Sequence, residues 1–574
     1  MLLKIGLIAA LLTTPSETPV ADAAEHNNVQ SVRYLLQHGE DVNAAQSDGL
    51  TALHWAALNN NLEVTEILLY AGGSVKSTTR VGGYTPLHLA SQSGYFEIMG
   101  AMLEAGADPN QFTSTGITSM HFAAVSNVPE AIHVLAGYGG NINVLDNFAN
   151  RTPVMFASVK NANTSLGTLI DLGANLEMTT RIKNYVERAN GDNEDRVQRN
   201  RVKDAENGED APDSGLGGSF RPPPDPDSTK AEAPPIPVVT VLSGNEQIGN
   251  QGGLTALHLA AREGHIESAL RLVEGGADVN HVTEGDLSSP LLVAVINGNY
   301  DLAKMLLEHG ADPNLLSDDN AGPLFATLNI EWSLRTWYPQ PSMFRQQENT
   351  YLDLLKLLLD VGAEPNQRVS THIWYAAYNA GRMGVDFTGA TPFWRAAYAH
   401  DVNAMRILAD YGADPNIWTT KLPSRRRGDQ DSTSVDPSGL EPIPDGGPGV
   451  HPIHAASGVG FGTSRVAQQH RGVPDGWLPA VKYLVEEHGI DPNLRDMGGY
   501  SSMHHAAARG DNETILYLVR NGADVGLISR SGQTTADLAN SPEQRAQPHP
   551  VTVALLEKLG SRNNHNCRSC GTGN

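Results

Sequence analysis

Apolar and polar positions follow one another along this chain at helical spacing, and 253–280 shows the pattern most completely. Thr255, a preferred helix N-cap residue, precedes Leu257 and further apolar positions on one helix face. Gly264 marks the end of this first helix, and Ile266 begins a second amphipathic helix. Because two helices this short cannot bury their apolar faces alone, the pattern predicts similar units on both sides.

Imperfect copies of this unit fill most of the chain. A four-residue opening motif, typified by Thr-Pro-Leu-His, begins at Thr51, Thr85, Thr118, Thr152, Thr255, Ser289, Gly322, Thr391, His451 and Ser501. A closing Gly-Ala-Asp/Glu-Pro-Asn phrase ends at Asn110, Asn314, Asn366 and Asn416. In these motifs the chain resembles the ankyrin repeat family. The resemblance implies an all-α solenoid of about twelve helix–turn–helix units with β-turn fingers, interrupted by long loop insertions.

The repeats fall into two blocks, 19–177 with repeats 1–5 and 251–560 with repeats 6–12. Between them, 178–250 is predicted to be an acidic, Pro-rich insertion, and its composition predicts disorder. Smaller insertions interrupt the second block at 329–349, 370–388, 417–449 and 458–476. The remaining 561–574 is predicted to be a flexible tail. The sequence leaves open whether the two blocks form one continuous stack.

The N-terminal 18 residues, 1–18, resemble a secretory signal peptide. Lys4 precedes an apolar run, 5–12, that is too short to span a bilayer. We therefore expect an exported, bacterial-type multi-ankyrin-repeat protein, periplasmic or extracellular, with cleavage near 14–16. The alternative is an uncleaved apolar cap on a cytoplasmic protein.

The formal net charge of −24 narrows the classes of partner. A nucleic-acid backbone requires dense Lys and Arg, so nucleic acid is not expected to bind, and anionic membrane surfaces are disfavoured for the same reason. The charge suits a soluble protein or a basic protein partner. Beyond the N-terminal run, no segment is apolar enough to predict a membrane span.

Histidine recurs at the fourth position of the opening motif. The copies are His54, His88, His121, His258, His454 and His504. Because they share one repeat position, they are expected to lie one repeat apart and not to converge on a catalytic or metal site. The resemblance implies that each histidine bonds backbone groups of the adjacent turn.

Large aromatic residues are concentrated between 329 and 418, although aromatic residues make up only 6% of the chain. The candidate partner- or ligand-binding residues are Trp332, Trp337, Tyr338, Trp374, Tyr375, Tyr378, Phe387, Trp394, Arg395, Tyr398 and Trp418. Rigid aromatic side chains are frequent anchors in interfaces and ligand pockets. Arg395 would suit an anionic group. The alternative is a local core in which the insertions pack these rings onto the stack.

Cys567 and Cys570, close to the C-terminus, are the two cysteines of the chain. Their spacing suits a local disulfide or half of a metal site, and the alternative is an inert tail. Four-ligand zinc would need a second pair of ligands, and c-type haem attachment would need a histidine where Gly571 stands. We therefore expect no cofactor and no metal.

No Walker loop, dinucleotide-binding glycine fingerprint or Gly-x-Ser-x-Gly elbow occurs in the sequence. The first hypothesis is therefore a monomeric, non-enzymatic scaffold that binds a protein on the concave face and fingers of the solenoid. The second hypothesis is a small-molecule-binding or even catalytic protein that uses an aromatic pocket within 329–418. A third hypothesis, ranked last, is a redox or metal accessory role of the terminal cysteines.

Overall fold

The structure, a computed structural model, describes residues 17–207, 242, 244–333, 343–372, 385–423, 436–461, 471–540 and 547–566. These residues form two compact units. Unit 1 comprises the described residues of Met1–Arg181 and Gly253–Val279. Unit 2 comprises those of Ile182–Gly252 and Asn280–Asn574.

Helices dominate both units. In the first part of the chain they are α1 (Pro19–Glu25), α2 (Val29–Gln37), α3 (Ala52–Leu58), α4 (Leu62–Tyr70), α5 (Pro86–Ser93), α6 (Phe96–Glu104), α7 (Ser119–Ser126), α8 (Pro129–Gly137), α9 (Pro153–Val159), α10 (Asn163–Asp171), α11 (Tyr185–Asn207), α12 (Gly244–Ile248), α13 (Ala256–Glu263) and α14 (Ile266–Glu274). Further along they are α15 (Pro290–Ile296), α16 (Tyr300–Glu308), α17 (Pro323–Glu331), α18 (Tyr351–Asp360), α19 (Pro392–Tyr398), α20 (Val402–Asp410), α21 (Pro452–Ala456), α22 (Trp477–Lys482), α23 (Ser502–Arg509), α24 (Asn512–Arg520), α25 (Thr535–Ala539) and α26 (Pro550–Lys558). A 3-10 turn spans Met343–Gln346, and a π-helical turn, Tyr483–Glu487, extends α22.

Twelve helix pairs in the described residues correspond to twelve repeats, which confirms the all-α repeat fold. Unit 1 holds repeats 1–6, from α1/α2 to α9/α10 and then α13/α14, and unit 2 holds repeats 7–12, from α15/α16 to α25/α26. The first repeat opens at Thr18, 33 residues before Thr51, because its motif reads Thr-Pro-Val-Ala. The unit at 253–280 has the predicted boundaries: the Thr255 side chain accepts from the His258 N–H, and Gly264 adopts φ +77°.

Repeat 6 stacks directly on repeat 5, although the long insertion separates them in sequence. Helix α13 packs on α9, and α14 packs on α10. The Ser268 hydroxyl donates to the side-chain oxygens of Asn161 and Asn163 at 2.9 and 2.8 Å. The backbones of Thr180 and Leu254 lie 3.0 Å apart in a hydrogen bond. The stack therefore continues across the insertion at this point.

The insertion itself contains regular structure in unit 2. Strand β1 (Lys183–Asn184) pairs antiparallel with β2 (Asn250–Gln251), and α11 and α12 lie between them in sequence. Helix α11 lies in the segment for which composition predicts disorder. Its charged sequence places Arg188 and Asp192 one turn apart, at 3.9 Å, a spacing that supports an exposed helix.

The motif histidines bond backbone groups, as the resemblance implies. The His54 Nδ1 accepts from the Thr51 N–H at 3.1 Å, and its Nε2 lies 3.1 Å from the Tyr84 carbonyl in the next finger. His88, His121, His454 and His504 make the equivalent contact with the following finger. Burial lowers the pKa of His54 and of His121 to about 4, so both rings are neutral at pH 7.

Consecutive repeats are joined by the asparagine that ends the closing phrase, as at Asn110, and by the asparagine at the matching position of repeats whose phrase is degenerate. Asn43 donates to the Gly72 carbonyl at 3.2 Å, and its oxygen accepts from the Ser74 N–H at 2.7 Å. Asn493 repeats this arrangement in unit 2, with Gly522 and Asp524. The pattern satisfies backbone groups at the end of each second helix, which would otherwise lack partners.

Three insertions of unit 2 lie against its stack in their described parts. The Asp301 carboxylate accepts from the backbone N–H groups of Glu348 and Asn349 and so holds the first insertion on α16. Helix α17 runs beyond the predicted start of this insertion at residue 329, since Asn329 is buried within the helix. The segment 471–476 packs on α19, where the Val473 N–H donates to the Ala399 carbonyl at 3.0 Å. The segment 436–449 packs on the finger that contains Arg530.

Candidate interaction surface

Two positions of each first helix project to the side on which the fingers stand. They are the residue directly after the four-residue motif, position 5, and the residue three further along, position 8, which share one helix face. We call these positions the first-helix face. In unit 1 it consists of Asp22, Glu25, Trp55, Leu58, Leu89, Gln92, Phe122, Val125, Phe156, Val159, Leu259 and Arg262.

This face is open in unit 1. All its residues are half-buried or exposed except Leu259, which is 3% exposed. Large apolar side chains occupy position 5 in four consecutive repeats, namely Trp55, Leu89, Phe122 and Phe156. Their spacing by one repeat produces a row of apolar side chains, because each first helix packs directly on the next. We call these four residues the apolar row.

The fingers hold the rings of the row in place. The Tyr84 ring lies 5.9 Å from that of Phe122, and the Arg151 guanidinium lies 4.6 Å above the Phe156 ring. Arg151 is in turn fixed by the buried Asp146 carboxylate at 2.7 Å. The Trp55 Nε1 donates to the Gln46 side chain at 2.8 Å. These contacts restrict the rotamers of the row, so a ligand would lose little side-chain entropy on binding there.

The equivalent positions are buried in unit 2. Their residues are Val293, Ala326, Asn329, Arg395, Tyr398, Ala455, Gly458, His505, Ala508 and Leu538, and each is buried. Ile296 is the exception among the described positions and is half-buried. The face that unit 1 leaves open is therefore filled by the chain itself in unit 2.

Three of the predicted aromatic residues, Phe387, Trp394 and Tyr398, lie in this filled region. The Phe387 ring is 5.6 Å from those of Trp394 and Tyr398, and the latter two stack at 5.3 Å. All three are at most 3% exposed. Phe325 also contacts Phe387, with ring centroids 6.5 Å apart. Burial raises the pKa of the Tyr398 hydroxyl.

Arg395 is the buried cation of this cluster. It is 2% exposed, and its Nε donates to the Asn329 side chain while one Nη donates to the Trp332 carbonyl, both at 2.8 Å. Its guanidinium also lies 5.7 Å from the Phe387 ring. These groups come from α17 and from the end of the insertion before α19. Arg395 thus joins two repeats internally.

Trp332 and Trp418 have ring contacts and hydrogen bonds separate from the cluster of Phe387, Trp394 and Tyr398. The Trp332 Nε1 donates at 3.0 Å to the buried Asp401 carboxylate, which also accepts from the Tyr351 hydroxyl at 2.7 Å. The Trp418 ring packs 4.9 Å from that of His451. The other predicted aromatic residues, Trp337, Tyr338, Trp374, Tyr375 and Tyr378, lie outside the described residues, as do Cys567 and Cys570.

One buried Asp–His pair in unit 2 also occupies the first-helix face. The His505 Nε2 lies 2.9 Å from an Asp496 carboxylate oxygen, and both side chains are 5% exposed. Burial favours the neutral form of the Asp496 carboxyl, but its interactions with His505, first of all the hydrogen bond, outweigh burial and lower the pKa of Asp496. The Tyr500 ring closes over the pair at 5.9 Å from His505.

The described part of the chain holds no cluster of three or more His, Cys, Asp and Glu side chains suited to a metal ion. None of its helices has both the length and the apolar composition to cross a bilayer.

The apolar row was not among the residues predicted from the sequence, because those residues depart from the repeat whereas the row belongs to it. The signal was present: Trp55, Phe122 and Phe156 each follow the fourth motif position directly. An alignment of the opening motifs brings these residues into one column, position 5, and so identifies the row.

Comparison with known proteins agrees with the architecture. A family model described as ankyrin repeats (3 copies) matches residues 4–79, 20–113, 87–180 and 231–317. A second, described as ankyrin repeats (many copies), matches 469–519.

Similar curated proteins share only parts of their length with this chain. A 102-residue segment, 18% of the chain, is 32% identical to palmitoyltransferase Hip14 of Drosophila melanogaster and covers 16% of that protein. A 94-residue segment, 16% of the chain, is 39% identical to human ankyrin repeat and SOCS box protein 3 and covers 18% of it. A longer alignment of 346 residues, 58% of the chain, is 24% identical to human transient receptor potential cation channel subfamily A member 1 and covers 28% of it.

The chain thus spans less than a third of each of these relatives. The two family models together match more than half of the chain, in both units. Six helix pairs stack in each unit among the described residues, with histidine-capped first helices and asparagine-linked turns. This chain therefore belongs to the ankyrin-repeat proteins.

Proposed function

We propose that this protein is a non-enzymatic scaffold that binds a protein partner on the first-helix face and fingers of unit 1. Ankyrin repeats support protein interaction in general, and the apolar row is the observation that supports this particular surface. Aromatic side chains held by their neighbours are typical energetic anchors of protein interfaces. The row extends over four repeats with its side chains half-buried, and such an elongated surface suits a protein surface or segment better than a small molecule.

The alignment with a palmitoyltransferase does not transfer that enzyme's activity to this chain, since it covers 16% of the enzyme. A fold shared in part supports no inference about chemistry performed elsewhere in the relative. The excess of acidic residues in this chain favours a basic partner. The predicted pocket within 329–418 stays a prediction, and the four buried residues of that set, Phe387, Trp394, Arg395 and Tyr398, support the alternative of a local core.

The test is affinity capture with the full chain from its own cells, comparing two triple variants. One variant removes rings of the row, Trp55→Ala, Phe122→Ala and Phe156→Ala. The matched control removes Tyr34, Tyr70 and Tyr138, which are 59%, 97% and 46% exposed on or at the ends of second helices. We expect the first variant to lose a stoichiometric partner and the control to retain it.

Equal retention by both variants would contradict the proposal. Cross-links from the captured protein to residues near the apolar row would identify the contact surface directly. Loss of the partner from the control alone would place the interface on the second helices and contradict the proposal. Circular dichroism on each variant establishes that the repeats remain folded, because half-buried rings contribute less to stability than core rings.

Export stays a prediction of the N-terminal segment, with the periplasm or the extracellular space as the expected location. Mass spectrometry of the N-terminal peptide of the protein made in its own cells tests it. A chain that begins near residue 17 supports cleavage and export, whereas a chain that retains residues 1–16 in the cytoplasm supports the apolar-cap alternative.

A further inference from the structure

The charges on the first-helix face of unit 1 are ordered along the stack. Repeat 1 contributes two acids, Asp22 and Glu25, to positions 5 and 8. Repeats 2, 3 and 4 contribute no charge at these positions. Repeat 6 contributes Arg262, which is exposed and pairs with Glu263 at 2.9 Å. Lys160, next to position 8 of repeat 5, is also exposed.

The fingers of unit 1 follow the same order. Each finger is the loop after a repeat and is numbered by the repeat that it follows. The first finger carries the exposed Asp48, whereas the second, fourth and fifth carry Arg80, Arg151 and Arg181. The charge of Arg151 is offset by Asp146. Arg181 is bound only to neutral groups of Asn147 and Asn150 among its hydrogen bonds, so its positive charge is not offset by them.

The acidic end is arranged around one glutamine. The Gln46 amide donates to the Asp22 carboxylate at 2.8 Å and to the Glu25 carboxylate at 3.0 Å. The same side chain accepts from the Trp55 Nε1 at 2.8 Å. The two carboxylates therefore lie beside the first ring of the apolar row. A cationic side chain there would meet both a carboxylate and the face of an aromatic ring.

We propose that the partner's docking element is an extended segment with a Lys/Arg-rich end, an apolar middle and an Asp/Glu-rich end. This inference rests on the proposed function of the same surface. The basic end binds over repeats 1 and 2, the apolar middle contacts the row, and the acidic end reaches Lys160 and Arg181. Neighbouring helices pack about 8–10 Å apart, so repeats 1 to 5, from Asp22 to Lys160, span roughly 32–40 Å, which is about 10–12 extended residues.

The test uses a library of random 12-residue peptides displayed on phage and selected on the full chain. Binders are first depleted on the variant that lacks Trp55, Phe122 and Phe156, so that the retained peptides depend on the row. We expect the retained peptides to carry basic residues at one end and acidic residues at the other. Synthetic copies of the most frequent peptide then serve as the probe.

Charge reversals locate each end of the probe. Glu25→Lys is expected to weaken binding about three- to tenfold, and changing the basic residues of the probe to Glu is expected to restore it. Lys160→Glu should also weaken binding of the probe, and changing the acidic residues of the probe to Lys should restore it. The control is Glu66→Lys, an equal reversal on the second helix α4, which should leave the affinity unchanged.

The outcomes separate the two proposals. Two results overturn the inference and leave the proposed function intact. The first is a set of row-dependent peptides without a charge order. The second is a probe whose basic end must be reversed to compensate Lys160→Glu, or whose acidic end must be reversed to compensate Glu25→Lys. A selection that yields no row-dependent peptide, together with retention of a cellular partner by the row variant, overturns both.

Discussion

Phe156 and Arg395 occupy the same position in their repeats, and the two units use that position in opposite ways. Phe156 is half-buried and held from one side by Arg151. Arg395 is buried and bonded to Asn329 and to the Trp332 carbonyl. The difference follows from the insertions, which in unit 2 supply groups that cover the first-helix face. A repeat position is accessible to a partner only where other segments of the chain do not cover it.

The largest effect is expected from removing rings on the two sides of this comparison. Phe387→Ala leaves a cavity among Trp394, Tyr398 and Phe325 and should destabilise unit 2 by about 3–5 kcal/mol. Phe122→Ala removes a half-exposed ring of unit 1 and should cost only about 1 kcal/mol. Hydrogen exchange by mass spectrometry measures both losses within their own units. Equal losses would contradict the assignment of one ring to the core and the other to the surface.

Two arginines offer a second contrast. Arg395→Ala leaves the buried Asn329 oxygen and the Trp332 carbonyl without their donor, and we expect a loss of roughly 3 kcal/mol. Arg262→Ala removes an exposed side chain paired with Glu263, so a change within about 0.5 kcal/mol is expected. Urea denaturation monitored at several probes gives both values. A tolerant Arg395→Ala variant would show that this side chain does not hold the filled face together.

Acid should destabilise both units, because both contain buried motif histidines. Burial lowers the pKa of His54, His121 and His454 to about 4, whereas an unfolded chain titrates near 6.5. The unfolded state therefore binds more protons between these values, so stability is full above pH 6.5 and falls as pH decreases towards 4, by up to about 3 kcal/mol per histidine.

Repeat 5 supplies the control for this pH dependence. Met155 occupies the histidine position there, and its sulfur lies 3.5 Å from the Thr152 N–H. His121→Met should therefore keep the repeat folded and reduce the pH dependence of the urea midpoint. An identical pH profile for the wild type and this variant would show that the ring does not contribute to the acid effect.

The smallest effect concerns the segment 436–449. Arg530 donates to the Asp436 carboxylate at 2.6 Å and to the Leu440 and Glu441 carbonyls. Because this ion pair is partly exposed, Asp436→Asn should change global stability very little and act locally. Faster exchange confined to 436–449 and its finger is the expected signature. Faster exchange throughout unit 2 would instead make this segment part of the core.

The fold was predictable because the repeat encodes it in local, recurring signals. Thr255 and Gly264 begin and end a helix as expected, and His54 bonds the adjacent finger. The state of the first-helix face was not predictable, since it depends on contacts between distant segments. Asn329 and Arg395 lie 66 residues apart, and nothing in either local sequence indicates their hydrogen bond.

Hydroxyl-radical footprinting of the full chain, alone and with the selected 12-residue probe, shows whether the apolar row is the binding surface. Trp55, Phe122 and Phe156 should be oxidised in the free protein and protected by the probe, while Trp394 and Tyr398 stay unmodified in both samples. Oxidation of Trp394 and Tyr398 in the free protein, with protection by the probe, would contradict the account and move the binding site to the aromatic cluster of unit 2.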